Sequence, residues 1–556
     1  MMTSQEEGGA REGGPKGAGM CCGLGALEQS VSGELRALDD RIADLWIRYD
    51  AVLHTDNDVF VPTDDRLDHM ASETVALRRD LALQSPQGAW EDVILHHATN
   101  LAEALAFRLV DERATPHRYL ADVGYTLDRF LLLDGRSRRQ KDGILATKLE
   151  GVADLVDAVC ERTSQVGPAA RKAVTEYLGT LLRAVGEYMP DHGAGDPGVS
   201  TALRLVEGSL EGAMDTIAGM SGKGEVQTLP YRLRLKTLWD IDADEMLRWC
   251  DEALIQSRDR FLKLARTRLG RKSMTDYVQA DDGSLGSPEE AIALMRQFLG
   301  RAREASSEHI RLPAGETCDV LPVPPHMEKT YPWGGCMSPS PLSHHLRGAV
   351  LVNTSNYRNL SPGWLQMLAL HECYPGHHAQ RVKISASDLP RSFKVHTLSH
   401  PSSPLVEGIA HRSETLLAEV FGPSFEVFAA YRRLHTITRI RADLSLHMLG
   451  HSPEEVVHLY RETLGLSAGV ARGQVHFQEL LPGYMTTYYY GLRWLQEMTS
   501  RLSLDDRILS EWLFSAGYVG LGTLENVIKM HLARDESRAA EDHQRKDGGT
   551  VGTPRI

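Results

Sequence analysis

Apolar residues recur at three- and four-residue intervals through most of the chain, the spacing that places them on one face of a helix. Leu35, Leu38, Ile42, Leu45 and Trp46 show it, and the same period runs through Ile94 to Leu109, Ile144 to Cys160 and Ala169 to Tyr188. The pattern predicts helix after helix from about Leu27 to Arg271, with breaks at Pro190 to Gly198 and Ser221 to Gly224. Asp281 to Pro288 reads as a linker, and Pro288 to Ser306 as a further helix. From Leu312 the character changes. Cys318 to Leu321 is short and mostly apolar and runs into Pro322, Pro324 and Pro325. A Pro-, Gly-, Ser- and His-rich loop then reaches Arg347, and Gly348 to Asn353 predicts a short strand. Pro362 to His371 predicts a helix, and the chain reads as mainly helical again to about Ala533. The expected fold class is all-α with a small β element. The expected organisation is a disordered leader at 1–25, a helical region at 26–280, a catalytic region at 285–533 and a disordered tail at 534–556.

Composition narrows the function classes. The 556 residues are 42% hydrophobic and 24% charged, ordinary for a globular protein. The formal net charge of -14 repels phosphate backbones, so nucleic acid is not an expected partner. No stretch approaches the roughly 20 apolar residues of a membrane span, and no membrane partner is expected. The leader lacks the apolar core of a secretory signal, and nothing upstream of Cys21 and Cys22 supports lipidation. Seven widely spaced cysteines without a CxxC pair argue against both a disulfide framework and a thiolate metal site. A cytoplasmic location is expected.

The chemistry concentrates in His371-Glu372-Cys373-Tyr374-Pro375-Gly376-His377-His378. A His-Glu pair ending an apolar helix is half of the HExxH arrangement, in which two His at i and i+4 bind zinc and the Glu activates water. Here the following His residues stand at i+6 and i+7. Pro375 clashes with the carbonyl four residues back and donates no backbone hydrogen bond, and Gly376 accepts unusual backbone angles. A bulge or kink is therefore expected, bringing His377 to the i+4 place. On an unbroken helix, His378 would share the face of His371 instead. A third ligand is needed. Glu407 is the best source, followed by Gly408, which allows close helix approach. His411 and Glu414, on adjacent turns, could support or replace it.

These residues carry a resemblance. The chain resembles the bacterial family known as domain of unknown function 885, itself similar to helical zinc metallopeptidases of the gluzincin type. The family pattern runs from a strand ending Val352-Asn353, through His371 to Gln380 and Glu407 to Glu414, to Asp443 with His447 and to Pro482, Gly483, Tyr488 and Gly491. The resemblance implies a helical metallopeptidase-like bundle with zinc, Zn2+, on His371, His377 and Glu407; iron is the less favoured metal. It implies Glu372 as general base, with Tyr488 or His447 stabilising a developing oxyanion. His378, His411, Tyr484 and Asn353 are candidate substrate contacts, the strand edge being able to meet an extended substrate. Departures fall around this core: Ile409, His411 and Arg412 replace Trp, Leu and Tyr, Tyr484 replaces Gln, and Phe477 stands where a basic residue is expected. The expected function is hydrolysis of a peptide or amide bond in a small or peptide-like substrate. The alternatives are non-hydrolytic metal chemistry in a specialised biosynthetic pathway, or a catalytically dead binding protein.

Overall fold

The computed structural model describes residues 31–50, 59–193, 195–278, 285–340, 342, 345–502 and 505–533. The expected leader and tail, and residues 281–284 of the expected linker, lie outside them. Helices α1 (Gly33–Tyr49), α2 (Asp64–Ala82), α3 (Ala89–Asp111), α4 (His117–Leu133), α5 (Arg138–Thr163), α6 (Pro168–Tyr188) and α7 (Pro197–Ala218) come first. Then follow α8 (Tyr231–Trp239), α9 (Ala243–Leu269), α10 (Met274–Val278) and α11 (Pro288–Ser306). Strands β1 (Thr317–Pro322), β2 (Gly334–Met337) and β3 (Arg347–Val352) interrupt the helices. The chain continues as α12 (Pro362–Leu368), α13 (His377–Ser385), α14 (Ser403–Leu416), α15 (Pro423–His447), α16 (Pro453–Leu464), α17 (Ala468–Leu480), α18 (Tyr484–Leu502) and α19 (Asp506–Ser515). The fold is mainly all-α with a small β element.

Polar side chains and prolines start these helices where the sequence supplies them. Ser287 accepts from the Glu290 amide, and Ser361 from the Trp364 amide, each with proline next in the chain. The sheet has the order β1-β3-β2, with β1 parallel and β2 antiparallel to β3. Every residue of β3 after Arg347 is buried, which is why that segment reads as an unbroken apolar run. β2 was not expected. Gly334-Gly335-Cys336-Met337 has little strand propensity of its own and is held by its pairing with Val352 through Ala349.

Apolar cores cross the middle of the chain. Ile437, Ile440 and Leu444 of α15 pack into the cluster built by α1 to α9. Leu35 of α1 and Trp90, Val93 and Ile94 of α3 pack into the cluster that surrounds α12 and β3. Polar ties do the same. Arg108 on α3 bonds Asp50 at 2.7 Å, Glu112 at 2.8 Å and Thr397 at 3.1 Å. His326, in the loop after β1, bridges Asp128 of α4 at 3.0 Å and Glu187 of α6 at 2.7 Å. The helices before residue 280 thus back the elements of the second half of the chain that carry the His371–His378 segment.

The expected strand Gly348 to Asn353 ends one residue earlier. Asn353 leaves the sheet to cap the turn beyond, its Oδ1 accepting from the Asn356 amide at 3.2 Å. Its Nδ2 donates to the carbonyls of Glu328 and Tyr331, both at 2.9 Å. Asn353 therefore fastens the Pro-rich loop against the sheet end. Asn353→Ala strands two acceptors and is expected to cost about 1–3 kcal/mol, read as a lower midpoint in chemical denaturation against wild type.

Candidate metal centre

The helix expected over Pro362 to His371 stops at Leu368. Ala369–Cys373 form a single wider π turn, in which the Tyr374 amide reaches back to the Ala369 carbonyl at 2.9 Å. The Tyr374–Pro375 bond is cis, and α13 restarts at His377. Gly376 lies directly on the preceding turn. A Cβ there would stand 1.8 Å from the His371 carbonyl oxygen and 2.5 Å from that of Leu370. Only glycine allows the segment to fold back so tightly, and the fold-back brings the His377 ring to 4.9 Å from the His371 ring.

Glu407 arrives from α14, which is pressed against α18. A Cβ on Gly491 of α18 would meet the Pro404 carbonyl oxygen at 1.6 Å and the Gly408 Cα at 3.2 Å. Glu407 Oε2 then lies 3.5 Å from His371 Nε2 and 3.6 Å from His377 Nε2. Its other oxygen accepts from the Tyr484 hydroxyl at 2.7 Å. Oε2 is buried and has no hydrogen-bond partner.

A second group, His371, His411 and Glu414, also comes together. It is closed by direct contacts: Glu414 Oε1 is 2.8 Å from His371 Nδ1 and 3.1 Å from His411 Nδ1. The two sets differ in kind. Donor atoms about 3.3 Å apart are what a tetrahedral ion with bonds of about 2.0–2.1 Å requires; Glu407 Oε2 stands 3.5 and 3.6 Å from the two imidazole nitrogens, and the three donors lie within 4.8 Å of one another. Glu414 instead takes the far nitrogen of His371, the orienting contact that metal-bound imidazoles usually have. The donor set fits a divalent cation.

The electrostatics agree. Burial alone would depress His371, but Glu407, Glu414 and Glu372 outweigh it and hold its pKa up at about 10. Burial lowers His377. Burial would raise Glu407 and Glu414, yet the surrounding histidines hold both well below the usual carboxylate range. Glu372 is half-buried, and its charge acts on His371, His377, Tyr484 and Tyr488. Burial, partly offset by Arg439, pushes Tyr488 up to about 12, so its hydroxyl keeps its proton at neutral pH.

The remaining candidates separate. Tyr484 and Tyr488 stand together at 5.4 Å, with Tyr488 5.8 Å from the His411 ring. His411 lies behind His371, ring to ring at 4.8 Å. His378 faces the other way. It is fully buried, 3.0 Å from Glu316, which also accepts from Tyr374 at 2.7 Å and from Arg303 at 2.9 Å. His447 bonds the Gln478 carbonyl at 3.0 Å and stacks on Tyr231, sharing no hydrogen bond, ion pair or ring contact with the trio. Asp443, one turn earlier, accepts from the Tyr231 hydroxyl at 2.6 Å and the Gly483 amide at 2.9 Å and pairs with His447 at the longer distance of 3.8 Å. Asn353 holds the loop already described.

The sequence pattern matched by the family described as bacterial protein of unknown function (DUF885) covers residues 139–526. The chain belongs to this family. The DUF885 chain matches no curated protein. Its fold is similar to the crystal structure of a candidate lipoprotein from Colwellia psychrerythraea, with TM-score 0.73 and 13% identity over 90% of this chain and 99% of that one. It is also similar to a candidate lipoprotein of unknown function from Shewanella oneidensis, with TM-score 0.64 and 14% identity over 90% of this chain and 100% of that one. At such identity the likeness is one of fold.

Sequence reasoning missed two residues of this DUF885 site. Arg432 and Arg439, seven apart on α15, are buried beside it, Arg432 with its Nε 3.9 Å from Glu414 and Arg439 over the Tyr488 ring at 4.8 Å. The available signal was two arginines on one face of a helix that is otherwise buried almost all round.

A metal ligand must be deprotonated, whereas metal-free His371 carries its proton until about pH 10. Zinc binding at pH 7.5 is expected to release about one proton, and the apparent affinity to rise with pH up to about 10. Titration calorimetry in buffers of different ionisation enthalpy measures this. Binding without proton release would place the ion elsewhere.

Proposed function

We propose that this chain is a zinc-dependent hydrolase of a peptide or amide bond in a small or peptide-like substrate. The observation that carries the reading is the orphaned Glu407 Oε2, buried and facing the Nε2 atoms of His371 and His377 at 3.5 and 3.6 Å. In the metal-free chain the charge of this buried carboxylate is offset by His371 at 3.5 Å without a hydrogen bond, and a cation between the three atoms would meet it more closely. The resemblance to helical zinc metallopeptidases of the gluzincin type supports the same assignment.

His371, His377 and Glu407 would hold the ion. Zinc there supplies Lewis-acid chemistry, acidifying water and polarising a carbonyl. Glu372 takes the proton from the attacking water and delivers it to the leaving nitrogen, the two halves of general acid–base catalysis. Tyr488, its hydroxyl protonated, donates to the oxygen on which charge develops. Tyr484 fixes one oxygen of Glu407 and leaves the other free to bind. Glu414 fixes the ring of His371.

Two imidazoles and one carboxylate also suit iron, which would move the reading toward non-hydrolytic chemistry. Glu372, next to the first ligand, favours hydrolysis, because a base at that place has no role in iron oxygenation.

Metal analysis of the purified chain is expected to give one zinc per molecule. His377→Ala is expected to lose it and His378→Gln to keep it. Glu372→Gln is expected to keep the zinc and lose about 10²- to 10⁴-fold in turnover of peptides or N-acyl amino acids. Full turnover in Glu372→Gln would rule out the hydrolytic mechanism, and a chain without stoichiometric metal would rule out both readings.

A further inference from the structure

Arg439 is 8% exposed, yet its side chain makes no hydrogen bond and no ion pair among the described residues. Its guanidinium lies 4.8 Å over the Tyr488 ring and 6.0 Å from that of Phe477. Its neighbour Arg432 is 6% exposed and has its carboxylate already, Glu414, with His435 at 3.3 Å. The other buried arginines with short carboxylate contacts behave as expected: Arg108 has Asp50 and Glu112, and Arg234 has Asp111. Arginine does not shed its charge on burial, and a buried cation is retained at low cost only when an anion faces it. Aromatic faces compensate such a charge only in part.

The position of this charge matters more than its existence. Tyr488 joins Arg439 to the metal ligands. Its ring carries Arg439 on one side, touches Tyr484 at 5.4 Å and His411 at 5.8 Å, and lies within the field of both Glu407 and Glu372. An anion seated on Arg439 would therefore lie beside the bond presented to Glu372. A planar guanidinium with two free terminal nitrogens matches a carboxylate, which it can bind in a fork.

Resting on the hydrolase reading above, we propose that the substrate carries a free carboxylate next to the scissile amide, and that Arg439 binds it. The substrate class is then N-acyl amino acids and short peptides cleaved at the residue bearing the free terminus. The acidic surface of the chain does not oppose this, since recognition is local and buried.

The test uses the full-length Glu372→Gln protein loaded with zinc, so that binding is read without turnover. N-acetyl amino acids and dipeptides are titrated by calorimetry, each beside its carboxamide. The acids are expected to bind about 10- to 100-fold tighter than the carboxamides. Arg439→Gln in the same background is expected to erase the difference, and Arg439→Lys to keep part of it. Equal binding of acids and carboxamides, or no binding of any pair, by Glu372→Gln protein that carries its zinc overturns the proposal, and neither result depends on an Arg439 variant folding. Loss of the preference in Arg381→Gln (Arg381 lies 4.9 Å from the Tyr518 ring) and not in Arg439→Gln overturns the assignment to Arg439. A carboxylate preference, lost in Arg439→Gln, in a chain whose wild type hydrolyses none of these compounds would sink the hydrolase reading and leave only the carboxylate site on Arg439 standing. Hydrolysis of acids and carboxamides alike by the wild type would do the reverse.

Discussion

The centre depends on one close approach. Gly376 sits where a Cβ would lie 1.8 Å from the carbonyl oxygen of His371. That contact is possible because the π turn at Ala369–Cys373 widens the helix and because position 376 has no side chain. The result is that two histidines six residues apart face one carboxylate from another helix. Without the fold-back, His377 would be carried away from His371 and Glu407 would face a single imidazole. The close seating of Gly491 on α14 supplies the third side, so two contacts at glycine set the positions of all three donor atoms.

Around this point the protein accumulates buried charge. Glu407 and Glu414 are held ionised, His371 is held protonated in the metal-free state, and Arg432 is drawn in against Glu414. Each of these groups has a partner of opposite sign. Glu407 Oε2 and the Arg439 guanidinium both lack a hydrogen bond among the described residues, one anionic and one cationic, on the two sides of the Tyr484–Tyr488 pair. Buried charge without a hydrogen bond is expensive, and it recurs at functional sites because a ligand completes it. The two groups ask for different ligands, a cation at Glu407 and an anion at Arg439.

Much of this was legible in the sequence. Helical periodicity gave α1, α3, α5, α6 and α11 within a few residues, because each has one apolar face. The segment at 371–378 announced a break through Pro375 and Gly376, and it holds the two histidines that the geometry brings together with Glu407. What stayed hidden was decided by other parts of the chain. Whether His377 or His378 turns inward depends on Glu316, 62 residues earlier, which takes His378 for itself. β2 exists only through its pairing with β3. Asn353 and His447 have the chemistry of site residues, but backbone carbonyls in neighbouring segments claim them. Arg439 gave no signal as a single arginine; its meaning lies in the partner it lacks, and lack of a partner is visible only in three dimensions.

The central claim is the identity of the atoms around the ion, and X-ray absorption at the zinc edge of the loaded full-length chain reads them directly. A first shell of nitrogen and oxygen only, at about 2.0–2.1 Å with two imidazoles, is the expected result. Cys318 and Cys373 stand 3.8 Å apart, with Cys373 immediately after Glu372. A sulfur shell at about 2.3 Å would mean that the cysteines hold the metal and would contradict the account.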